Sequence, residues 1–232
     1  MITLRRAEDR RHLRRGSHQT WMTFDPENPL DPLRRGFHAL RSFTEEHLGP
    51  GGALPPPLQE DVEILTYVRE GALVHHHGAG EMNLQGPGEF QRSSVSRESR
   101  RPSTNESRLE SAQIFQSSLS SRIQPLQPLW EKKRFPIADR EGILRIVVSL
   151  EGNQTSLPKP QNIRVYSSVL LLGQHLIHEL GPGRGAWLQV ITGNVLLRDH
   201  ELRAGDGVAL EDEPALSFTA RNSAEIMLFD LA

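Results

Sequence analysis

LPPPLQEDVEILTYVREGAL, spanning Leu54–Leu73, decides how the rest of the chain is read. Its prolines hold an extended lead, because the pyrrolidine ring fixes φ and disfavours helix in the residue before it. From Val62 onward the side chains are β-branched, aliphatic or aromatic, and Gly71 closes the run with a residue free to take positive φ. That is a strand ended by a tight turn. The same signature recurs in ILRIVVSL, RVYSSVLLL, AWLQVITGNVLL, GVALEDEPALSFTA and AEIMLFDLA, each bounded by Gly, Pro, Asn or Asp. Runs of this length and punctuation predict an all-β chain built as an antiparallel sandwich or barrel, not βαβ units. Helix is expected to be minor. PLRRGFHALRSFTEE, residues 32–46, is the candidate helical stretch, and Gly36 interrupts it.

A chain of 232 residues can make one large β domain or two small ones. Internal repetition favours two. TYVREGAL is followed by NLQGPGEFQR, and LQVITGNVLL by LRAGDGVAL. Each copy reads as strand, glycine turn, strand, then a Gly-acid turn (Gly88-Glu89, Gly205-Asp206) into a further strand. The expected organisation is therefore an N-terminal domain at 1–125, a connector at 126–140 and a C-terminal domain at 141–232. In the connector the prolines of QPLQPLWEKKRFP extend the chain, with Trp130 and Phe135 expected to pin it.

The charge balance, 27 Lys+Arg against 29 Asp+Glu for a net −2, gives no reason to expect nucleic acid or an acidic membrane as partner. The basic runs RRAEDRRHLRR and Arg100-Arg101 are interleaved with acids and lack stacking aromatics, so they read as solvated faces. No segment approaches a membrane span and no signal-peptide core is present, which makes the cytoplasm the expected location. The absence of cysteine excludes disulfides and thiolate metal sites. Asn105-Glu-Ser107 and Asn153-Gln-Thr155 match the glycosylation sequon and are read as chance matches.

His75-His76-His77 follows the Gly71 turn, and adjacent strand residues alternate faces, so the run is a poor single chelate. His175 and His178 fall on opposite faces if their segment is a strand, which points to structural roles. GPGRGA, residues 181–186, lacks the Gly-Lys-Ser/Thr of a phosphate loop, and no nucleophile elbow supports a serine hydrolase.

Taken in order, MITLRRAEDR, DPLRRGFHALRSFTEEHLGPG, EILTYVREGALVH, PGEFQR, KRFP, PGRGAWLQVITGNV, AGDGVAL and LFDLA resemble the pirin family over nearly the whole chain. These are bicupins that include bacterial quercetin 2,3-dioxygenase-like proteins. The resemblance implies two tandem cupin (jelly-roll) barrels with a metal in the N-terminal one. For active members it implies iron or another divalent metal and oxidative cleavage of a flavonol by dioxygen. The family's ligands are a His-x-His pair followed later by a His and, two residues on, a Glu. Carried onto this chain, those positions are Pro57, Gln59, Arg101 and Ser103. None is the expected ligand type: proline has no side-chain donor, glutamine is a weak neutral ligand, arginine is a fixed cation and serine is a poor ligand for such metals.

The resulting expectation is a pirin-like bicupin with a degenerate metal site, no catalytic residues and no cofactor. It would bind a small anionic or flavonol-like ligand, or a protein. Arg101 facing the barrel would stand where the metal charge stood and hold an anion by paired hydrogen bonds; the alternative is that it pairs with Glu63 or Glu98, or turns to solvent. The rival reading is a quercetin 2,3-dioxygenase-type oxidoreductase whose iron or other divalent metal is held by displaced ligands: Glu63, in phase with Pro57 and Gln59, or Glu98, or one of His75–His77. A third reading is a barrel filled by its own side chains.

Overall fold

The computed structural model describes residues 1–56, 62–76, 82–94, 102–120, 130–149, 157–158 and 162–232. The first strands are β1 (Ile2–Arg5), β2 (Arg11–Arg15), β3 (His18–Met22), β4 (Leu40–Leu48), β5 (Ala53–Leu54), β6 (Val62–Glu70), β7 (Leu73–His76), β8 (Met82–Gln85), β9 (Glu89–Ser94), β10 (Ser103–Thr104), β11 (Ala112–Ser120) and β12 (Trp130–Arg134). They are followed by β13 (Arg145–Ser149), β14 (Leu157–Pro158), β15 (Ile163–Leu170), β16 (His175–Glu179), β17 (Gly185–Thr192), β18 (Asn194–Leu197), β19 (His200–Arg203), β20 (Gly207–Leu210), β21 (Ala215–Ala220) and β22 (Ala224–Leu231). Helix among the described residues is confined to 3-10 turns, Ala7–Asp9 and Ile137–Asp139. The all-β expectation of cupin barrels holds.

The chain forms two compact units. One, Arg11–Gly36 with Leu40–Arg134, pairs a sheet ordered β12-β9-β6-β11-β4-β3-β2 with a smaller sheet β5-β10-β7-β8. The other, Phe135–Ala232 with Met1–Arg10 and Phe37–Ala39, pairs β1-β20-β17-β22-β15-β13-β14 with β16-β21-β18-β19. Among the described residues the strand pairings are antiparallel except the short parallel contact of β13 with β14, and an isolated parallel bridge joins Glu141 to Val169. Chain order and compact unit diverge at the N-terminus. β1 runs along β20, from Ile2 opposite Leu210 to Arg5 opposite Gly207.

The repeat seen in the sequence is a repeat of structure. Gly71 and Gly193 take φ of 70° and 72°, Gly71 lying against the start of β11 and Gly193 against the start of β22. A Cβ at Gly71 would come within 2.6 Å of the Ser111 carbonyl, and one at Gly193 within 2.1 Å of the Ser223 carbonyl. Backbone sign and packing both require glycine there. The later turns match too: the Gly88 amide donates to the Val68 carbonyl and the Gly205 amide to the Val190 carbonyl, both at 2.9 Å.

That equivalence exposes a difference between the two interiors. In the C-terminal unit, Leu188 of β17 stands opposite Leu228 of β22, and both belong to a buried apolar cluster with Val190, Ile226, Val195 and Phe218. At the matching places in the N-terminal unit, Thr66 of β6 faces Gln116 of β11, whose amide donates to the Thr66 hydroxyl at 3.1 Å. Among the described residues, an apolar cluster of that unit comprises Leu48, Leu54, Val68, Leu73, Ala112 and Ile114. One barrel is filled with hydrocarbon; the other turns polar side chains inward.

Residues 32–46 are not helical. They run through turns into β4, where Gly36, at φ 92°, lies so close to the Leu40 carbonyl that a Cβ would sit 2.1 Å from it. Pairing of β4 with β11 on one side and β3 on the other overrides its helical propensity. The two residues expected to pin the connector differ in burial. Phe135 is buried, but Trp130 is 43 % exposed on β12, an edge strand held by backbone pairing to β9. Asn105, 1 % exposed, donates its amide to the carbonyls of Leu48, Gly49 and Glu110, and so is closed to glycosylation in the folded chain; Asn153 lies outside the described residues. No helix among the described residues is long and apolar enough to cross a membrane.

Candidate functional site

Of the positions singled out by resemblance, Pro57, Gln59 and Arg101 lie outside the described residues, as does Glu98. Ser103 is described. It sits on β10 between Leu54 of β5 and the β7 strand, and its hydroxyl lies 2.9 Å from His75 Nδ1. His75 Nε2 is 2.7 Å from Gln85 Oε1, and Gln85 gives its amide hydrogens to the carbonyls of Thr66 and Glu89. Since that amide is committed as donor, Gln85 Oε1 must accept, so His75 carries its hydrogen on Nε2 and Nδ1 accepts from the Ser103 hydroxyl. A buried hydroxyl–imidazole–amide chain results.

The histidine run divides as strand geometry demands. His75 shares its face with Leu73, in the apolar cluster, whereas His76 turns the other way to Thr104 at 2.9 Å and Glu106 at 3.8 Å. His77 lies outside the described residues. Glu63 does not face the barrel interior: its neighbour Ile64 does, and Glu63 on the opposite face pairs with Arg92, Nε to Oε2 at 2.9 Å. As a displaced metal ligand it is therefore ruled out by strand alternation, a correction to the expected list. Among the described residues no group of three or more His, Asp or Glu side chains is placed to hold a metal ion.

The N-terminal unit contains a cavity of about 460 Å³. One wall is the inward comb of the large sheet: His18 and Thr20 from β3, Ser42, Thr44 and Glu46 from β4, and Gln116 and Ser118 from β11. Leu54, Pro55, Pro56, Ile64, Leu13 and Met22 supply apolar surface, and Arg15 borders it. Glu46 accepts from His18 Nε2 at 2.8 Å and from the Thr20 hydroxyl at 2.5 Å. The sequence reading missed this wall. Its signal was present as alternation: Ser42, Thr44 and Glu46 recur at a period of two, so all face one side of a strand. The helical reading of residues 32–46 concealed that period.

In the C-terminal unit His175 and His178 do fall on opposite faces of β16. His175 bonds to Ser217 at 2.7 Å, and His178 Nε2 to Asp230 Oδ2 at 3.0 Å. Burial pushes the Asp230 carboxyl up, but hydrogen bonds from His178 and Arg184 more than offset this and hold it below the ordinary carboxylate range. Burial, reinforced by the Asp230 charge, pushes the Tyr166 phenol up. A carboxyl depressed by folding contributes stability above its unfolded pKa, which is lost as pH falls through the folded one. Asp230→Asn should therefore cost about 2–3 kcal/mol at neutral pH, with the gap to the parent closing below about pH 4. Urea midpoints measured across that range test it; a pH-independent gap would assign the loss to packing.

Residues 146–231 match the family model described as the quercetinase C-terminal cupin domain. The whole chain is 32 % identical over 231 residues to a quercetin 2,3-dioxygenase of Escherichia coli strain K12, covering 100 % of this chain and 99 % of that one. A pirin-like protein of Caulobacter vibrioides is 30 % identical over 203 residues, 87 % of each chain. Among solved structures, the bacterial pirin YhhW of Escherichia coli in complex with nickel(II) superposes with a TM-score of 0.90 at 32 % identity, over 100 % of this chain and 99 % of that one. Likeness of this extent, joined to the tandem β-units with their matched glycine turns, makes the chain a member of the pirin family of bicupins.

Proposed function

We propose that this pirin-family protein binds a small molecule in its N-terminal barrel and does not perform metal chemistry at the family's ligand positions. The observation that carries the reading is the contrast of interiors. Where the C-terminal barrel packs Leu188 on Leu228, the N-terminal barrel has Thr66 and Gln116 and leaves a cavity of about 460 Å³. Inward polar side chains reduce stability unless something satisfies them, so a barrel that keeps them beside open space is built to receive a partner.

The divalent metal implied by the family does not fit the residues found here. Ser103 is a neutral hydroxyl already hydrogen-bonded to His75, and the side chains of Pro57, Gln59 and Arg101 offer no imidazole or carboxylate to complete a site. The second reading, a quercetin 2,3-dioxygenase-type activity, is supported by the 32 % identity to an enzyme of that name. Metal analysis separates the two. Untagged protein incubated with ferrous iron and desalted should retain less than about a tenth of an equivalent, since a site lacking charged or imidazole ligands does not survive dilution. A full equivalent retained, with aerobic loss of quercetin absorbance, would establish the dioxygenase reading instead.

A further inference from the structure

The cavity wall carries a carboxylate that is only half occupied. Glu46 is 5 % exposed, and both its hydrogen bonds, from His18 and Thr20, go to the same oxygen, Oε2. Among the described residues no hydrogen bond reaches Oε1, and Glu46 lines the cavity. His18 lines the cavity too, and its Nε2 holds the other carboxylate oxygen, Oε2. One carboxylate oxygen, Oε1, is therefore left for a ligand.

An ionised oxygen next to hydrocarbon is poorly solvated, and the partner that compensates it best is a cationic N–H donor. A neutral hydroxyl can use the same oxygen but leaves the charge unbalanced. The remaining surface suits an apolar body, for Leu54, Pro55, Pro56 and Ile64 line the cavity. Arg15 at the border is exposed, and its repulsion of a cation is screened by water and salt, whereas the attraction of buried Glu46 is not. The volume lies within the range of small-molecule sites, roughly 300–1,000 Å³.

We propose that the N-terminal cavity takes an organic cation, a primary or secondary ammonium on an apolar ring or chain, with an N–H group on Glu46 Oε1. This rests on the ligand-binding reading above and adds the ligand's charge and shape.

The test is calorimetric titration of the full chain with benzylamine, benzyl alcohol and benzoate, which share a ring and differ in charge. Benzylamine should bind one to one and at least about tenfold more tightly than benzyl alcohol, with no binding of benzoate. Glu46→Gln should abolish the preference, bringing benzylamine to about the affinity of benzyl alcohol. Should that variant fail to fold, the three-way comparison on the unaltered protein still decides. Equal or tighter binding of the alcohol or benzoate overturns the cation assignment while the cavity stands as a ligand site. No heat from any of the three overturns the inference as well, and iron retention by the same preparation then shows whether the ligand-binding reading falls with it.

Discussion

Replacing Glu225 with alanine should lower the stability of the C-terminal unit by about 3–5 kcal/mol, the cost of stranding a buried charge. The charge is Arg140, 1 % exposed, whose Nη1 lies 2.6 Å from Glu225 Oε1 and 2.8 Å from the Ser167 hydroxyl, while Nε donates to the Phe135 carbonyl at 3.0 Å. Without Glu225 the Ser167 hydroxyl and the Phe135 carbonyl still meet the guanidinium, but both are neutral dipoles. Glu225→Gln keeps a hydrogen-bond acceptor and loses the counter-charge, so it should fall between alanine and the parent. Trp187, fully buried in this unit, reports its unfolding by fluorescence in urea. A loss below about 1 kcal/mol for Glu225→Ala would mean that water reaches the guanidinium and that the pair behaves as a surface bridge.

The second large effect comes from the opposite end of the chain. Deleting residues 1–6 should destabilise the unit that contains the C-terminus by about 4 kcal/mol or more, from lost apolar burial and a buried carboxylate stripped of its counter-charge. Ile2 and Leu4 pack against the C-terminal core, and β1 completes the ladder beside β20. Asp206 is buried and accepts from Arg6 Nη1 at 2.8 Å and from the Ala7 amide at 2.7 Å, across 200 and 199 positions of sequence. Removing β1 also bares the edge of β20, an invitation to pair with another chain. Calorimetry of the truncated protein should show the C-terminal transition moved down, with the β2–β12 unit melting where it did. An unmoved C-terminal transition would show that β1 is dispensable to the sheet it borders.

Sequence alone determined the features that depend on neighbours in the chain. The alternation and punctuation around Val62–Glu70 specify strands, because successive strand residues point to opposite faces whatever the context. The paired turns at Gly71 and Gly193 were legible because positive φ nearly requires glycine, and the division of His75 from His76 followed from the same two-residue period.

Tertiary structure decided what depends on partners distant in sequence. Residues 32–46 have helical propensity, yet β4 is a strand because β3 and β11 supply hydrogen bonds on both sides, a gain no local window contains. The placement of β1 beside β20, and of Glu63 against Arg92 on the face away from the cavity, likewise arises from sheet pairing. The His18–Glu46 pair spans 28 positions and exists only because β3 and β4 lie side by side. Periodicity fixes which residues share a face; only the folded sheet fixes which faces enclose a cavity and which pack shut.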